Sequence, residues 1–318
     1  MNPNDLFHPV LLILSARAVA YAQLVRVALP DLPLAETTDV EEARALGRGA
    51  PLVLGDPGLV RRVLDDLPAL QWVQSTWAGV DVLLQSGLRR DYVLTNVRGV
   101  FGPAVAEYVL GYALMHERLG FRRYRAQQAR TWDPASPGSL QGRTLGILGV
   151  GSIGAHLAAA VKPFGVRVLG YTLGSEDCPA VDRYYHGGDL HAFAAACDYL
   201  VCTLPNTPQT YHLIDAALLA AMQPHAVLIN VGRGATVDEG ALVAALESGR
   251  LGGAVLDVFE QEPLPSDHPL WTLPNVLITS HTAAVSFPQQ IAPIFVENYH
   301  RWAAGESLRY VVDFKKGY

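Results

Sequence analysis

The stretch TLGILGVGSIG, Thr144 to Gly154, restricts the fold of this chain more than any other segment. An apolar run ends in a turn that places Gly149, Gly151 and Gly154 in G-x-G-x-x-G spacing. SIGAHLAAAVKPFG then reads as a helix and VRVLGY as a second strand. Two strands joined through a helix pair in parallel, because a parallel pair needs a long crossover. Each glycine has a separate task. Gly149 permits the tight turn, Gly151 lets a pyrophosphate approach the backbone, and Gly154 allows the helix to lie close to the strand. The amides of Ser152 and Ile153 would then face phosphate at the positive end of the helix. The segment therefore predicts a dinucleotide site.

The same alternation of short apolar runs and helical patterns extends along the 318 residues, a length for about two domains. It predicts an α/β protein of two Rossmann/flavodoxin-like, doubly wound parallel-sheet domains with a cleft between them. In the first half the candidate strands are 10–15, 32–37, 50–56, 70–76 and 92–97. A long helical stretch runs from about Gly102 to about Ala129, and TWDPASPGS breaks it. Further strands are expected at 144–149, 166–171, 198–203, 226–231, 253–259 and 275–281. Most are continuous apolar runs, as expected of strands covered on both faces. The helical tail from about Phe287 is too short for a third domain. The expected division is a substrate domain of residues 1–98 completed by 285–318, and a dinucleotide domain of 99–284.

Composition narrows the partners. A net charge of -6 with no basic block argues against nucleic acid. PVLLIL is too short to span a membrane, and it lacks the basic flank and cleavage-like site of a leader. Cys178, Cys197 and Cys202 form no CxxC pair, which fits small core residues in a reducing cytosol, so a cytoplasmic location is expected. No His/Cys spacing suggests a metal. His268, in SDHPLW, reads as a surface residue.

The adenosine end of the dinucleotide site is unusual. An acid about 20 residues past the glycines ordinarily binds the ribose hydroxyls and repels a 2′-phosphate. Thr172 stands there instead, in YTLGSED. Its hydroxyl cannot repel phosphate, yet the nearest arginine is Arg183, and Glu176 and Asp177 would oppose a phosphate that they faced. The reading leans to NADP or dual use, with NAD left open.

Three ionisable residues follow later strands: Arg233 in INVGRG, Glu262 in DVFEQEPLP and His281 at the end of VLITSH. Ligands of open parallel sheets bind outside the carboxyl ends of the strands, so all three share an edge with the glycine turn. A guanidinium fork suits a carboxylate substrate and can polarise its carbonyl. Imidazole suits proton transfer at the substrate oxygen, and a carboxylate beside it favours imidazolium.

LGILGVGSIG, INVGRGATVDEGALVAAL, GAVLDVFEQEPLP and NVLITSHTAA, in this order, resemble the D-isomer-specific 2-hydroxyacid dehydrogenases, and the similarity covers essentially the whole chain. The resemblance implies hydride transfer between NAD(P)H and a small 2-oxo acid or D-2-hydroxy acid. It implies a catalytic trio of Arg233, Glu262 and His281. It assigns the nicotinamide carboxamide to Asp257, and further cofactor contacts to Leu204, Pro205 and Thr210 of LPNTPQT and to Val231 and Gly232 of INVGRG. STWAGVDVLL is similar to the family loop that grips the substrate carboxylate. This implicates the amides of Ala78 and Gly79, with Trp77 shaping the pocket or lying in the core. WAGVD and NVRGVFGPAVAEY resemble the glyoxylate/hydroxypyruvate reductase branch, which often uses NADPH. Glu262 stands where the formate dehydrogenase branch has Gln, so formate is disfavoured. Family members are usually homodimers. Two other readings stay open: a dinucleotide-sensing module of corepressor type, and a phosphoglycerate or phosphite dehydrogenase that recruits Arg89, Arg90 or Arg98.

Overall fold

The computed structural model describes residues 9–317; the segment before them, where no leader was expected, lies outside the described residues. The chain forms two compact units. One runs through Val100 and resumes at Ser286, and the other is Phe101–Val285.

The first unit contains strands β1 (Leu11–Leu14), β2 (Leu34–Thr37), β3 (Leu52–Gly55), β4 (Trp72–Ser75) and β5 (Val93–Thr95). Its helices are α1 (Ala18–Ala28), α2 (Val40–Leu46) and α3 (Pro57–Val63). The strands pair in parallel in the order β2-β1-β3-β4-β5, the flavodoxin-like order. β1, β3 and β4 are buried throughout; β1 and β3 accordingly read as unbroken apolar runs, whereas β4 also buries the polar Gln74 and Ser75. Local chemistry starts the helices. Asp39 caps α2 by accepting the Glu42 amide at 2.8 Å, and Pro57 opens α3. Asp56 gathers three strand ends by accepting from the Ser15 hydroxyl (2.9 Å), the Ala16 amide (2.8 Å) and the Thr76 hydroxyl (2.5 Å).

The other unit contains α4 (Gly102–Glu117), α5 (Gly120–Gln128), β6 (Thr144–Leu148), α6 (Ser152–Val161), β7 (Arg167–Tyr171), β8 (Arg183–Tyr185), α7 (Leu190–Ala195), β9 (Tyr199–Cys202), α8 (Ala216–Ala221), β10 (Val227–Asn230), α9 (Glu239–Glu247), β11 (Gly253–Leu256) and β12 (Val276–Ile278). The sheet order is β12-β11-β10-β9-β6-β7-β8, parallel throughout. Omitting β12, this is the Rossmann order, with the chain reversing its direction of travel at β6 and β9. Successive side chains feed opposite cores. Ile147, Val201 and Ile229 join α4 and α6 on one face, while Leu148, Cys202 and Leu228 join α7, α8 and α9 on the other. A fully buried aliphatic side chain contributes about 2 kcal/mol, so these two layers dominate the stability of the unit.

The final helix, α10 (Pro288–Ala303), belongs to the first unit. It packs on α1, Phe295 stacks on Trp72 with centroids 5.3 Å apart, and the buried Asn298 donates to Gln74 at 3.1 Å.

Two expectations need correction. The long helix from Gly102 is two helices, with Leu119 between them at φ 55°. The break follows from Glu117, whose carboxylate is buried and takes Arg143 at 2.8 Å and the Tyr199 hydroxyl at 2.8 Å. The Gly138 amide also donates to its carbonyl. A buried carboxylate needs such partners, and they lie far along the chain. The second correction is β8, where no strand was expected. Three residues are too short to display a period, and pairing with β7 makes the strand. No helix among the described residues is long and apolar enough to cross a membrane.

Candidate active site

The glycine turn is built as a cradle. Gly149 has φ +95° and donates its N–H to the Tyr171 carbonyl at 3.0 Å. A Cβ at Gly154 would lie 2.5 Å from the Gly149 carbonyl oxygen, so only glycine lets α6 approach β6. A Cβ at Gly151 would meet nothing within 4 Å, so the space above that residue is open. Gly151 is the N-cap of α6, no side chain caps it, and Ser152 and Ile153 open the helix. The amides of a first helical turn have no intrahelical acceptor. Open backbone, uncapped amides and the positive helix end suit a pyrophosphate.

The loops after β9 and β10 close on this turn. Thr203 donates its hydroxyl to the Gly149 carbonyl at 2.6 Å, and Leu204 packs over Gly149. A Cβ at Gly232 would stand 2.6 Å from the Leu204 carbonyl oxygen. Gly149, Leu204 and Gly232 therefore meet, with Pro205 and Val231 adjacent in chain. Thr210 is engaged in its own loop, donating to the Pro205 carbonyl at 2.7 Å and accepting from the Thr207 amide at 2.8 Å. Thr172 lies one residue past β7, and its hydroxyl donates to the Ser175 carbonyl at 2.7 Å. Arg183 does not turn toward it; its guanidinium lies 4.5 Å from the centre of the Tyr185 ring.

Arg233, Glu262 and His281 follow β10, β11 and β12. His281 Nδ1 and Glu262 Oε2 are 2.8 Å apart, and Glu262 Oε1 accepts the Phe259 amide at 3.0 Å. Because the carboxylate accepts, the proton on this side of the ring sits on Nδ1. Burial pushes the Glu262 carboxyl up. Hydrogen bonds from His281 and the Phe259 amide, with the charges of His281 and Arg233, outweigh that and hold it below its ordinary value. Arg233 is half-buried in an extended backbone, its carbonyl held by the Thr236 hydroxyl at 2.6 Å and the Asn230 amide at 3.0 Å. A Cβ at Gly234 would overlap the Phe259 carbonyl carbon at 1.8 Å, which shows how tightly the Arg233 loop lies against the loop of Glu262.

His281 has φ 55°, a left-handed conformation that a non-glycine residue holds only when its surroundings impose it. Asp257 imposes it. Its carbonyl accepts the His281 amide at 2.8 Å. Its buried carboxylate accepts the Thr279 hydroxyl (2.5 Å) and the Thr282 amide (2.7 Å) on one oxygen, and the Ala283 amide (2.9 Å) on the other. Thr279 also bonds the Tyr108 hydroxyl at 2.7 Å. This anchoring was not foreseen from sequence, because Asp257 and its partners are separated by more than 20 residues.

In the first unit, Trp77 is 44% exposed, which rules out the core reading. The Ser75 hydroxyl and Trp77 carbonyl bond at 2.9 Å, and the Asn96 side chain donates to the Ala78 carbonyl at 2.9 Å. Among the described residues the amides of Ala78 and Gly79 meet no acceptor. The arginines considered for a phosphorylated substrate are engaged. Arg89 bonds Asp91 and the Leu67 carbonyl, Arg90 the Leu84 carbonyl, and Arg98 the Asn96 side chain. His268 is not a simple surface residue; it is half-buried, accepts the Leu270 amide at 3.3 Å and faces Glu239. The three cysteines are free and buried. No cluster of His, Cys, Asp and Glu among the described residues is arranged to hold a metal.

Comparison with known proteins shows the family to which the chain belongs. A family model described as "D-isomer specific 2-hydroxyacid dehydrogenase, NAD binding domain" matches residues 110–283. The chain is 35% identical over 258 residues to glyoxylate/hydroxypyruvate reductase A of Serratia proteamaculans, covering 78% of this chain and 82% of that protein. Among solved structures it is similar to a D-isomer specific 2-hydroxyacid dehydrogenase family protein from Aeromonas salmonicida, with 44% identity, TM-score 0.92, and coverage of 96% and 98% of the two chains. It is also similar to a D-isomer specific 2-hydroxyacid dehydrogenase from Xanthobacter autotrophicus in complex with NADPH and MES, with 32% identity, TM-score 0.86, and coverage of 98% and 100%.

Proposed function

Because this chain belongs to the D-isomer specific 2-hydroxyacid dehydrogenase family of NAD(P)-dependent oxidoreductases, we propose that it reduces glyoxylate or hydroxypyruvate to the corresponding 2-hydroxy acid, with Arg233, Glu262 and His281 as its catalytic groups. The single observation that carries this reading is the 2.8 Å bond between His281 and Glu262, beside Arg233, on the sheet edge that also bears the glycine turn.

The dihydronicotinamide, when bound, supplies a hydride for the keto carbon. The protein supplies the rest. Glu262 orients the His281 ring through Nδ1, so proton donation to the substrate oxygen falls to Nε2. The negative charge of Glu262 stabilises the imidazolium that gives up that proton. The Arg233 fork binds the substrate carboxylate and draws electron density from the adjacent carbonyl. Gly149, Gly151, Ser152, Ile153 and Gly154 receive the pyrophosphate, with Leu204, Pro205, Thr210, Val231 and Gly232 lining the same edge and Thr172 at the adenosine end. Trp77, Ala78 and Gly79 are assigned to the substrate; the unsatisfied amides of Ala78 and Gly79 support an anion there.

The working form is a homodimer in the cytoplasm without a nucleic-acid partner. The buried unpaired thiols and the net charge of -6 support the location and the last point. Sedimentation of the purified protein checks the dimer.

The decisive assay follows NADH and NADPH oxidation with a panel of 2-oxo acids. His281→Ala should lower turnover by about 100-fold or more while cofactor binding stays nearly intact. Arg233→Ala should weaken 2-oxo acid binding. Unchanged turnover in the first variant, or unchanged substrate affinity in the second, removes that residue from the mechanism.

A further inference from the structure

The position just past β7, where sequence analysis found Thr172 in place of an acid, is occupied by a side-chain pair that the motif does not predict. His186 follows β8, and its Nδ1 lies 2.9 Å from the Thr172 carbonyl oxygen. Its Nε2 lies 2.8 Å from Glu176 Oε1. Both partners are acceptors only, so both ring nitrogens must carry protons. The Thr172 hydroxyl, 3.2 Å from Nδ1, spends its own proton on the Ser175 carbonyl and cannot donate to the ring. The arrangement thus favours the imidazolium form of His186. The groups facing it favour that charge: Glu176 first, the Thr172 carbonyl, and Asp189 from the turn before α7. Tyr184 lies parallel to the ring with centroids 6.3 Å apart, and Asp177 is held nearby through Ser175 at 2.9 Å.

The two members are held very differently. The His186 ring hangs from the backbone at the strand end. Glu176 rises from an exposed loop, with its side chain 60% accessible, and among the described residues only the imidazole anchors it. The strand end is where the adenosine ribose lies in a dinucleotide fold. A cation held there suits a 2′-phosphate, and an exposed carboxylate suits a ribose diol.

We propose that His186 and Glu176 together read the 2′ position of the cofactor: the His186 imidazolium takes the 2′-phosphate of NADP, and Glu176 takes the ribose hydroxyls of NAD in place of the acid that Thr172 replaces. Phosphate binding displaces Glu176 from Nε2–H, which then donates to a phosphate oxygen. This assignment rests on the reading that the chain binds NAD(P) and adds a specificity-determining pair to it. Loss of the imidazolium at higher pH removes the NADP arm only, so the preference for NADPH over NADH falls as pH rises.

The experiment is direct titration of the full-length protein with NADPH and with NADH, read by ligand fluorescence or calorimetry between pH 6 and pH 9 (about the working range of a histidine). His186→Ala should raise the Kd for NADPH by about tenfold or more, the scale of a charge-assisted hydrogen bond, and leave NADH within about threefold. It should also abolish the pH dependence of the preference that exceeds titration of the phosphate itself. Glu176→Gln should move the preference the other way, tightening NADPH and weakening NADH. Equal effects on the two cofactors, or none, overturn the proposal. If His186→Ala does not fold, Glu176→Gln and the wild-type pH series decide it on the same criteria. Failure of the wild-type protein to bind either cofactor overturns the dehydrogenase reading as well, which separates the two failures.

Discussion

Asp257→Asn separates an anchor from a cofactor contact. The family resemblance places Asp257 at the nicotinamide carboxamide, whereas the fold buries its carboxylate, 2% exposed, under Thr279, Thr282 and Ala283. An asparagine can keep its oxygen toward Thr279 and Thr282. Its NH2 group then confronts the Ala283 amide, donor against donor. One charge-assisted hydrogen bond, about 1.5–3 kcal/mol, is lost, and a buried N–H is left unsatisfied at about 1–3 kcal/mol. The sum is about 2.5–6 kcal/mol, or a fall in Tm of roughly 5–24 °C at about 2–4 °C per kcal/mol for a unit of this size. Because the same bonds impose the left-handed backbone of His281, turnover should fall by about 100-fold, the cost of a misplacement near 1 Å. The assay is thermal unfolding of the cofactor-free protein beside turnover with glyoxylate and NADPH. An unchanged Tm without cofactor, with only the cofactor KM raised, refutes the anchoring argument and returns Asp257 to the nicotinamide alone.

Gly151→Ala should fold with wild-type stability, since the new methyl meets nothing within 4 Å among the described residues, yet lose cofactor affinity by about tenfold or more because the methyl enters the space a pyrophosphate needs. Unfolding and cofactor titration of the same sample test this, and full affinity sinks it. For Glu262 the folded carboxyl lies below its ordinary 4.5, so the anion is the form that folding favours. Its contribution is complete above that value and drains away as pH falls through the depressed folded value. The stability difference between wild type and Glu262→Gln should therefore shrink on acidification below about pH 4.5. Urea unfolding across the acid range checks the direction, and a gap that widens on acidification contradicts it.

The sequence by itself determined the architecture and the residues that end its strands. Period and turn chemistry are local: an apolar run, a G-x-G-x-x-G turn and a helical pattern specify a β-α-β unit from neighbours in the chain. Parallel pairing then puts the residues following β10, β11 and β12 on one edge, so Arg233, Glu262 and His281 were legible before any coordinates. The tertiary structure decided what holds those residues and what stands beside them. The break at Leu119 depends on Glu117 meeting Arg143 and Tyr199, and the backbone of His281 depends on Asp257. The meeting of His186 with Thr172 and Glu176 depends on β8, a strand of three residues that exists only because β7 is there to pair with it. Hydrogen bonds and ion pairs of this kind join residues from about ten to more than eighty positions apart. Their geometry is set by how elements pack, and no pattern confined to a short window of sequence carries it.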